Sequence, residues 1–275
     1  MNGFLDDMAS LSAARVAQAL RHESADALQR RARRAAPSPP LHLSAAGFDV
    51  IAELKLRSPA AGLLSDGSRD WLGRVAAYAR GGAAAVSVLT EPSRFDGSLE
   101  HLSQAAAVLA PLGVPAMRKD FLVDPYQVLE ARAAGAGGVL VILRMLPRGR
   151  IEDLLDVAAE HGMFVLLEAF DEADLAMARD LTSRHADNRQ SLLIGVNCRD
   201  LQTLEVVTER FAALAPLLPA GWPAVAESGV ASAADALRMQ QLGYRVALIG
   251  TALMAHEEPS RLLRTIYDAT RTVHP

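Results

Sequence analysis

Five apolar runs in this chain each end in a charged or amide side chain, where a buried strand is expected to stay apolar. Burying an unpaired charge is costly, so a chain that repeats this at one strand end after another is expected to form a shared polar site. Amines and carboxylates brought together in this way can transfer protons, so the pattern predicts an active site. The polar ends are Glu53 with Lys55, Lys119, Glu168, Asn197, and Glu227 with Ser228.

The first polar end pairs an acid with an amine two residues apart. In a strand, Glu53 and Lys55 leave one face, whereas Leu54 and Leu56 leave the other. If the leucines contact covering helices, the acid and the amine point into the site. A buried structural ion pair is the alternative explanation of the same spacing. The small residues at 58–62 then predict a loop that can close over a ligand.

Lys119 and Glu168 are the candidates for proton transfer. An ammonium at a strand end can act as a general acid or form a Schiff base. Burial would raise the pKa of Glu168 and nearby lysines would lower it, a balance that suits a general base or acid. Alternatively, Glu168 only neutralises Lys119. Arg118 and Asp120 have the opposite strand parity, so we expect them to pair with neighbouring elements at the rim.

The last polar ends suggest ligand binding. Asn197 and Arg199 share a face and could hold a carboxylate, a hydroxyl or a ring of a substrate, whereas Cys198 between them is expected to pack. The segments Glu227-Ser-Gly-Val230 and Ile249-Gly-Thr-Ala252 place glycines and hydroxyls after two successive apolar runs. Glycine in such a loop can be only a turn requirement. Two such loops at adjacent strand ends favour a phosphate site built from backbone N–H groups.

The composition narrows the function classes. The chain has 275 residues, 51% of them hydrophobic, with a net charge of −4, so it can bury a large core but has no broad basic surface for nucleic acid. The arginine cluster at 30–34 is expected to be a solvated helix face.

One cysteine excludes an internal disulfide framework and fits a reducing compartment. No apolar stretch reaches membrane-spanning length, so we expect a cytoplasmic protein without membrane association. Neither metal-ligand spacing nor a dinucleotide fingerprint occurs, so no metal or cofactor is expected.

Alternating apolar and amphipathic segments predict the fold. Residues 4–36 lack Gly and Pro and are expected to form one or two helices, which end before the prolines at 37–40. Continuous apolar runs alternating with helical segments indicate a parallel sheet covered by helices. A doubly wound open sheet is the alternative, but polar groups at nearly every strand end favour an α/β barrel of the TIM, or (β/α)8, type. We predict one barrel domain at 46–275 with an N-terminal helical extension at 1–45, and strands near 50–55, 84–89, 115–119, 138–143, 163–168, 192–197, 223–227 and 246–250.

Seven segments, read in order, resemble the indole-3-glycerol phosphate synthase family. They are Ile51-Ala-Glu-Leu-Lys-Leu-Arg-Ser-Pro59, Val86-Ser-Val-Leu-Thr-Glu-Pro-Ser-Arg-Phe-Asp-Gly-Ser98, Arg118-Lys-Asp-Phe-Leu-Val-Asp-Pro-Tyr-Gln127, Glu130-Ala-Arg-Ala-Ala-Gly-Ala136, Ile194-Gly-Val-Asn-Cys-Arg-Asp-Leu-Gln-Thr203, Ala226-Glu-Ser-Gly-Val230 and Leu248-Ile-Gly-Thr-Ala-Leu-Met254. The resemblance implies ring closure of 1-(2-carboxyphenylamino)-1-deoxyribulose 5-phosphate to indole-3-glycerol phosphate, with loss of carbon dioxide and water. It implies a phosphorylated small-molecule substrate, no cofactor, and a monomer or weak homodimer.

The resemblance also assigns roles to residues of this chain. It makes Lys119 the general acid and Glu168 the general base, with Glu53 and Lys55 orienting them and the substrate. The positioning and binding residues that it implies are Asn197, Arg199, Glu227 and Ser228 for the substrate, Ser58, Gly229, Gly250 and Thr251 for its phosphate, and Phe95, Phe121, Leu140 and Ile142 as an apolar wall against its aryl ring.

Two other functions remain open at this point. A Schiff-base sugar-phosphate lyase would use Lys119 as a nucleophile. A catalytically weak or silent paralogue in a specialised pathway would keep the fold without full turnover. The sequence departs from the family pattern at Leu56, Ala60, Cys198 and Leu204, none of which is an implied catalytic position.

Overall fold

Eight parallel strands form a closed barrel in this protein. The computed structural model describes residues 3–45, 47–58, 62–63, 70–185, 192–201 and 203–271. The barrel order is β1-β10-β9-β8-β7-β6-β5-β4, and β2 pairs antiparallel with β3 outside it. The strands are β1 (Asp49–Leu54), β2 (Arg57–Ser58), β3 (Gly62–Leu63), β4 (Ala85–Leu89), β5 (Ala116–Lys119), β6 (Gly138–Ile142), β7 (Phe164–Ala169), β8 (Leu192–Asn197), β9 (Ala224–Glu227) and β10 (Val246–Ile249).

Helices surround the barrel and precede it. They are α1 (Phe4–Ala19), α2 (Ala25–Arg34), α3 (Trp71–Arg80), α4 (Pro92–Phe95), α5 (Leu99–Leu109), α6 (Pro125–Ala133), α7 (Arg148–Glu160), α8 (Glu172–His185), α9 (Glu209–Leu214), α10 (Ala233–Gln241), α11 (Thr251–Ala255) and α12 (Pro259–Arg271). The predicted barrel is confirmed, and each predicted barrel strand agrees with the structure to within one residue at either end.

Strand alternation divides the core into two layers. In β1, Val50, Ala52 and Leu54 face outward into the layer between barrel and helices, and Ile51 faces inward. The same parity in the other strands sends Met117 and Leu166 into the barrel interior. Each strand is therefore buried on both faces, which is why its sequence is continuously apolar rather than alternating. The polar residues at the strand ends are exceptions that lie at one rim.

The N-terminal extension forms two helices that pack on the barrel. Leu28 and Ala32 of α2 are buried against Tyr126 and Leu129 of α6. Backbone at Ala35 is extended (ψ 141°), so α2 ends just before the prolines at 37–40, as predicted. Among the described residues, no helix is both long and apolar enough to cross a bilayer.

The segment after β1 differs from the prediction. A loop was expected at 58–62, and the structure has the short hairpin β2–β3, with Ser58 opposite Gly62. Pro59, Ala60 and Ala61 lie outside the described residues, as does the side chain of Ser58.

Candidate active site

A cavity of about 490 Å³ opens at the carboxyl ends of the barrel strands. Ser58 is the one predicted site residue whose side chain lies outside the described part of the chain. The other predicted residues all line this cavity: Glu53, Lys55, Phe95, Lys119, Phe121, Leu140, Ile142, Glu168, Asn197, Arg199, Glu227, Ser228, Gly229, Gly250 and Thr251.

Lys119 lies between two buried carboxylates. Its Nζ donates to Glu168 Oε1 and to Glu227 Oε2, both at 3.2 Å. Burial alone would lower the pKa of Lys119, but the carboxylates of Glu168 and Glu227 raise it above its ordinary value. The amine is therefore held as an ammonium at neutral pH.

A chain of hydrogen bonds orients Glu168. Asn197 Nδ2 donates to Glu168 Oε1 at 2.9 Å, and Ser228 Oγ donates to Asn197 Oδ1 at 2.9 Å. Ser228 has a φ of 66°, in the left-handed region that disfavours residues with a side chain. Non-glycine residues held there often lie at functional sites. The strained backbone directs the hydroxyl to Asn197, which in turn fixes the carboxylate.

Glu53 and Lys55 form an ion pair on the opposite side of the cavity. Lys55 Nζ lies 2.9 Å from Glu53 Oε1, and both side chains are largely buried. Burial raises the pKa of Glu53, but Lys55 and Lys119 lower it, and the net shift is downward. A β-carbon at Gly250 would lie 2.3 Å from Glu53 Oε1, so glycine is needed there for the ion pair to fit.

Two adjacent loops frame one end of the cavity. Ser228-Gly229-Val230 follows β9, and Gly250-Thr251 follows β10, its neighbour in the barrel. Gly229 has a φ of 85°, which glycine adopts without strain. Glycines leave backbone N–H groups accessible, so these loops can bind an anion such as phosphate.

Aromatic and aliphatic side chains form the opposite wall. The rings of Phe95 and Phe121 lie 6.3 Å apart, and Phe4 of α1 packs edge-on against Phe121 at 5.8 Å. Leu140 and Ile142 complete this wall from β6. The cavity therefore joins an apolar slot suited to a flat ring with a polar, anion-binding end.

Several lining residues were not predicted from the sequence. Phe4 and Leu5 reach the cavity from α1, and no local pattern indicates which face of that helix meets the barrel. Phe170 lies just beyond β7 and has the same strand parity as Glu168. The alternation of side chains along a strand could therefore have predicted that it faces the cavity. Leu201 and Val206 line the cavity from the segment after β8.

The residues expected to be structural make their ion pairs apart from Lys119 and Glu168, although Asp120 also lines the cavity. Arg118 Nη2 and Arg15 Nη2 both donate to Asp120, at 3.0 and 2.7 Å, as predicted for pairing at the rim. Cys198 is fully buried in the outer core layer, and burial raises the pKa of its thiol to about 12, which makes it a poor nucleophile. Within the described ranges, no three His, Cys, Asp or Glu side chains could hold a metal ion together.

A closed parallel barrel whose strand ends converge on one polar cavity defines a TIM-barrel enzyme. The family described as indole-3-glycerol phosphate synthase matches residues 5–266. An indole-3-glycerol phosphate synthase of Parafrankia sp. (strain EAN1pec) is 42% identical over 84% of each chain, and that of Mycobacterium tuberculosis (strain CDC 1551 / Oshkosh) is 38% identical over 96% of this chain and 94% of its own. The chain therefore belongs to the indole-3-glycerol phosphate synthase family, whose members are decarboxylating lyases of tryptophan biosynthesis.

A more distant structural likeness shows the fold alone. The crystal structure of 3-hexulose-6-phosphate synthase from Salmonella typhimurium superposes with a TM-score of 0.59 at 13% sequence identity. The match covers 82% of this chain and all of that one. Barrels of this type carry many unrelated chemistries, so the function must be argued from the site.

Proposed function

We propose that Lys119 and Glu168 carry the proton transfers of the indole-3-glycerol phosphate synthase reaction in this chain. As the aryl carbon attacks the substrate carbonyl, Lys119 donates a hydrogen bond and then a proton to the carbonyl oxygen. Loss of carbon dioxide returns the bonding electrons to the ring. The new hydroxyl leaves as water by taking a second proton from Lys119, which regains its proton from solvent. Glu168 takes one proton from the methylene carbon beside the ring nitrogen, which makes the indole aromatic.

The placement of Lys119 between two carboxylates carries this proposal. Because the amine stays protonated, an ammonium is available to donate a hydrogen bond to the substrate carbonyl oxygen and to give up its proton as that oxygen gains charge. A Schiff base needs a neutral amine as its nucleophile. The same geometry therefore disfavours the sugar-phosphate lyase. Glu168 lines the same cavity and is held by Asn197 and Lys119, which orients its carboxylate for proton removal beside the acid.

The remaining residues fit the three parts of the substrate. The two glycine loops at Gly229 and Gly250 bind the phosphate, and the wall at Phe95 and Phe121 packs against the aryl ring. Arg199 positions the substrate from the segment just after β8, where its own Nη1 donates to Leu204 O at 2.8 Å. Holding both ends of a flexible molecule in this way lowers the entropic barrier to ring closure.

We also propose a cytoplasmic protein that acts as a monomer or weak homodimer and does not bind nucleic acid. The net charge of −4 and the single cysteine support this. Sedimentation equilibrium across a range of concentrations tests the oligomeric state, and a stable dimer at nanomolar protein would contradict it.

Mixing the purified protein with 1-(2-carboxyphenylamino)-1-deoxyribulose 5-phosphate tests the function. We expect indole absorbance to appear with one carbon dioxide released per indole formed. Borohydride added with substrate should leave Lys119 unmodified. Covalent trapping at Lys119 would instead support the lyase, and binding of substrate to folded protein without product would support the silent paralogue.

A further inference from the structure

Gly195 occupies a position where a strand would ordinarily carry a side chain. It lies within β8, opposite Glu168 of β7 on one side and Val225 of β9 on the other. Glycine inside a strand costs backbone entropy and packs nothing, so it often marks the close approach of another group. The backbone at Gly195 has the ordinary conformation of a parallel strand, which any residue can adopt. The reason for glycine here is therefore space.

The Glu227 carboxylate fills that space. A β-carbon at Gly195 would lie 2.1 Å from Glu227 Oε1, far closer than real contacts allow, and 3.1 Å from Leu166 Cδ1. Glu227 is 1% exposed, and within the described residues its Oε1 has no hydrogen-bond partner, while its Oε2 accepts from Lys119. Because no bond within those residues holds Oε1, the carboxylate would turn away from any side chain at Gly195.

We propose that Gly195 is a positioning residue, whose missing side chain lets the Glu227 carboxylate lie beside Lys119. Glu168 and Glu227 approach the same ammonium from β7 and β9, and β8 lies between these strands. A side chain at Gly195 would displace Glu227 and leave Lys119 held by Glu168 alone. The inference rests on the acid role proposed above for Lys119, because it concerns where that ammonium is held.

Gly195→Ala tests the proposal directly. The clash falls on the movable tip of a side chain, so the variant should fold. We expect kcat to fall about 10²-fold, as a misplacement of about 1 Å can cause, with KM within about threefold because the phosphate loops are untouched. A crystal structure of the variant should show Glu227 moved away from Lys119.

Gly138→Ala is the matched control. Gly138 also faces the barrel interior, where a β-carbon would lie 2.4 Å from the Phe164 ring. The nearest atoms to that β-carbon all belong to this ring, and none belongs to a carboxylate. Calorimetry should show a lower melting temperature for this variant, with kcat per folded molecule within about threefold of the unchanged chain. An equal loss of kcat in both glycine variants would mean that overpacking alone is responsible, and would overturn the proposal.

A shorter carboxylate should relieve the clash. In the Glu227→Asp background, adding Gly195→Ala should lower kcat by less than about fivefold, since coupled residues are not additive. The same 10²-fold loss in both backgrounds would overturn the proposal, as would full kcat in folded Gly195→Ala. If Lys119→Met also keeps full activity, the acid role proposed above fails as well. If Lys119→Met is inactive, only the inference about Gly195 fails.

Discussion

Two ion clusters lie at the end of β5, one residue apart along the chain, and they are built differently. In the outer cluster, Asp120 Oδ1 accepts from Arg15 Nη2 and from the Phe121 N–H, and Oδ2 accepts from Arg15 Nη1, Arg118 Nη2 and Thr90 Oγ1. Both oxygens are used by groups of fixed geometry. A buried charge satisfied in this way belongs to the structure.

The inner cluster is held less completely. Lys119 has two carboxylate partners at 3.2 Å, longer than usual for charged pairs. Glu227 Oε1 has no partner within the part of the chain that the structure describes. Unused hydrogen-bonding capacity is costly in a buried site unless a ligand takes it up. Charge alone therefore does not distinguish an active site from a structural ion cluster here. The two differ in how many of their carboxylate oxygens have hydrogen-bond partners.

The comparison predicts the largest effect at Lys119. Lys119→Met should lower kcat by about 10³-fold or more, because it removes the proton donor, while the protein remains folded. Stopped assays for indole formation, with circular dichroism as the folding control, measure both. Activity within tenfold of the unchanged chain would reassign the acid, with Lys55 as the next candidate.

Removing the base should have a slightly smaller effect. Glu168→Gln keeps the shape and the contact with Asn197 but cannot take a proton, so kcat should fall about 10²- to 10³-fold with little change in KM. Steady-state kinetics against substrate concentration separate the two constants. A rise in KM at unchanged kcat would mean that Glu168 only binds.

In the outer cluster the same kind of change should affect stability. Asp120→Asn leaves Arg118 and Arg15 without their shared counter-charge, so the free energy of unfolding should fall by about 3 kcal/mol at pH 7. Urea unfolding measures this, and kcat per folded molecule should stay within about tenfold. A large loss of kcat in fully folded protein would show that the outer cluster takes part in the reaction.

The acid dependence of stability gives a second readout at Asp120. Burial raises the pKa of this carboxyl, but Arg118 and Arg15 lower it well below its ordinary range. A carboxyl whose folded pKa is depressed stabilises the protein above its unfolded pKa, about 4, and this stability is lost as the pH falls toward the folded value. The unfolding free energy should therefore fall more steeply below pH 4 in the unchanged chain than in Asp120→Asn. Equal slopes would contradict the pairing.

The smallest effect is expected at the end of the hydrogen-bond chain. Ser228→Ala removes the hydroxyl that holds Asn197, and kcat should fall about tenfold, since one neutral hydrogen bond is lost. Ser228→Gly relieves the left-handed backbone and lacks the same hydroxyl, so it serves as the matched control. If the glycine variant alone recovers full activity, backbone strain and not the hydroxyl is the relevant property.

Much of the fold and the site could be predicted from the sequence, because strand geometry is a local property. Features that depend on contacts between distant residues could not be predicted. The parity of Glu53 and Lys55 in an apolar run follows from strand geometry, and so does the inward placement of Lys119. The hairpin after β1 was missed because its short strands carry no periodic pattern. Phe4 lines the site because α1 packs on the barrel. That packing depends on contacts such as Arg15 with Asp120, which lie 105 positions apart in the chain. Such pairings have no local signal.

The pairing of β1 with β10 has a consequence for the timing of synthesis. Asp49–Leu54 leave the ribosome early, but Val246–Ile249, which close the cylinder against them, follow roughly 200 residues later. At ordinary translation speeds that interval is roughly 10–40 s. Throughout it, Glu53 and Lys55 lack their neighbouring strand and the Gly250 loop that follows it, so a nascent chain has an incomplete substrate cavity. The cavity is completed, and can bind substrate, only when β10 pairs with β1 late in synthesis.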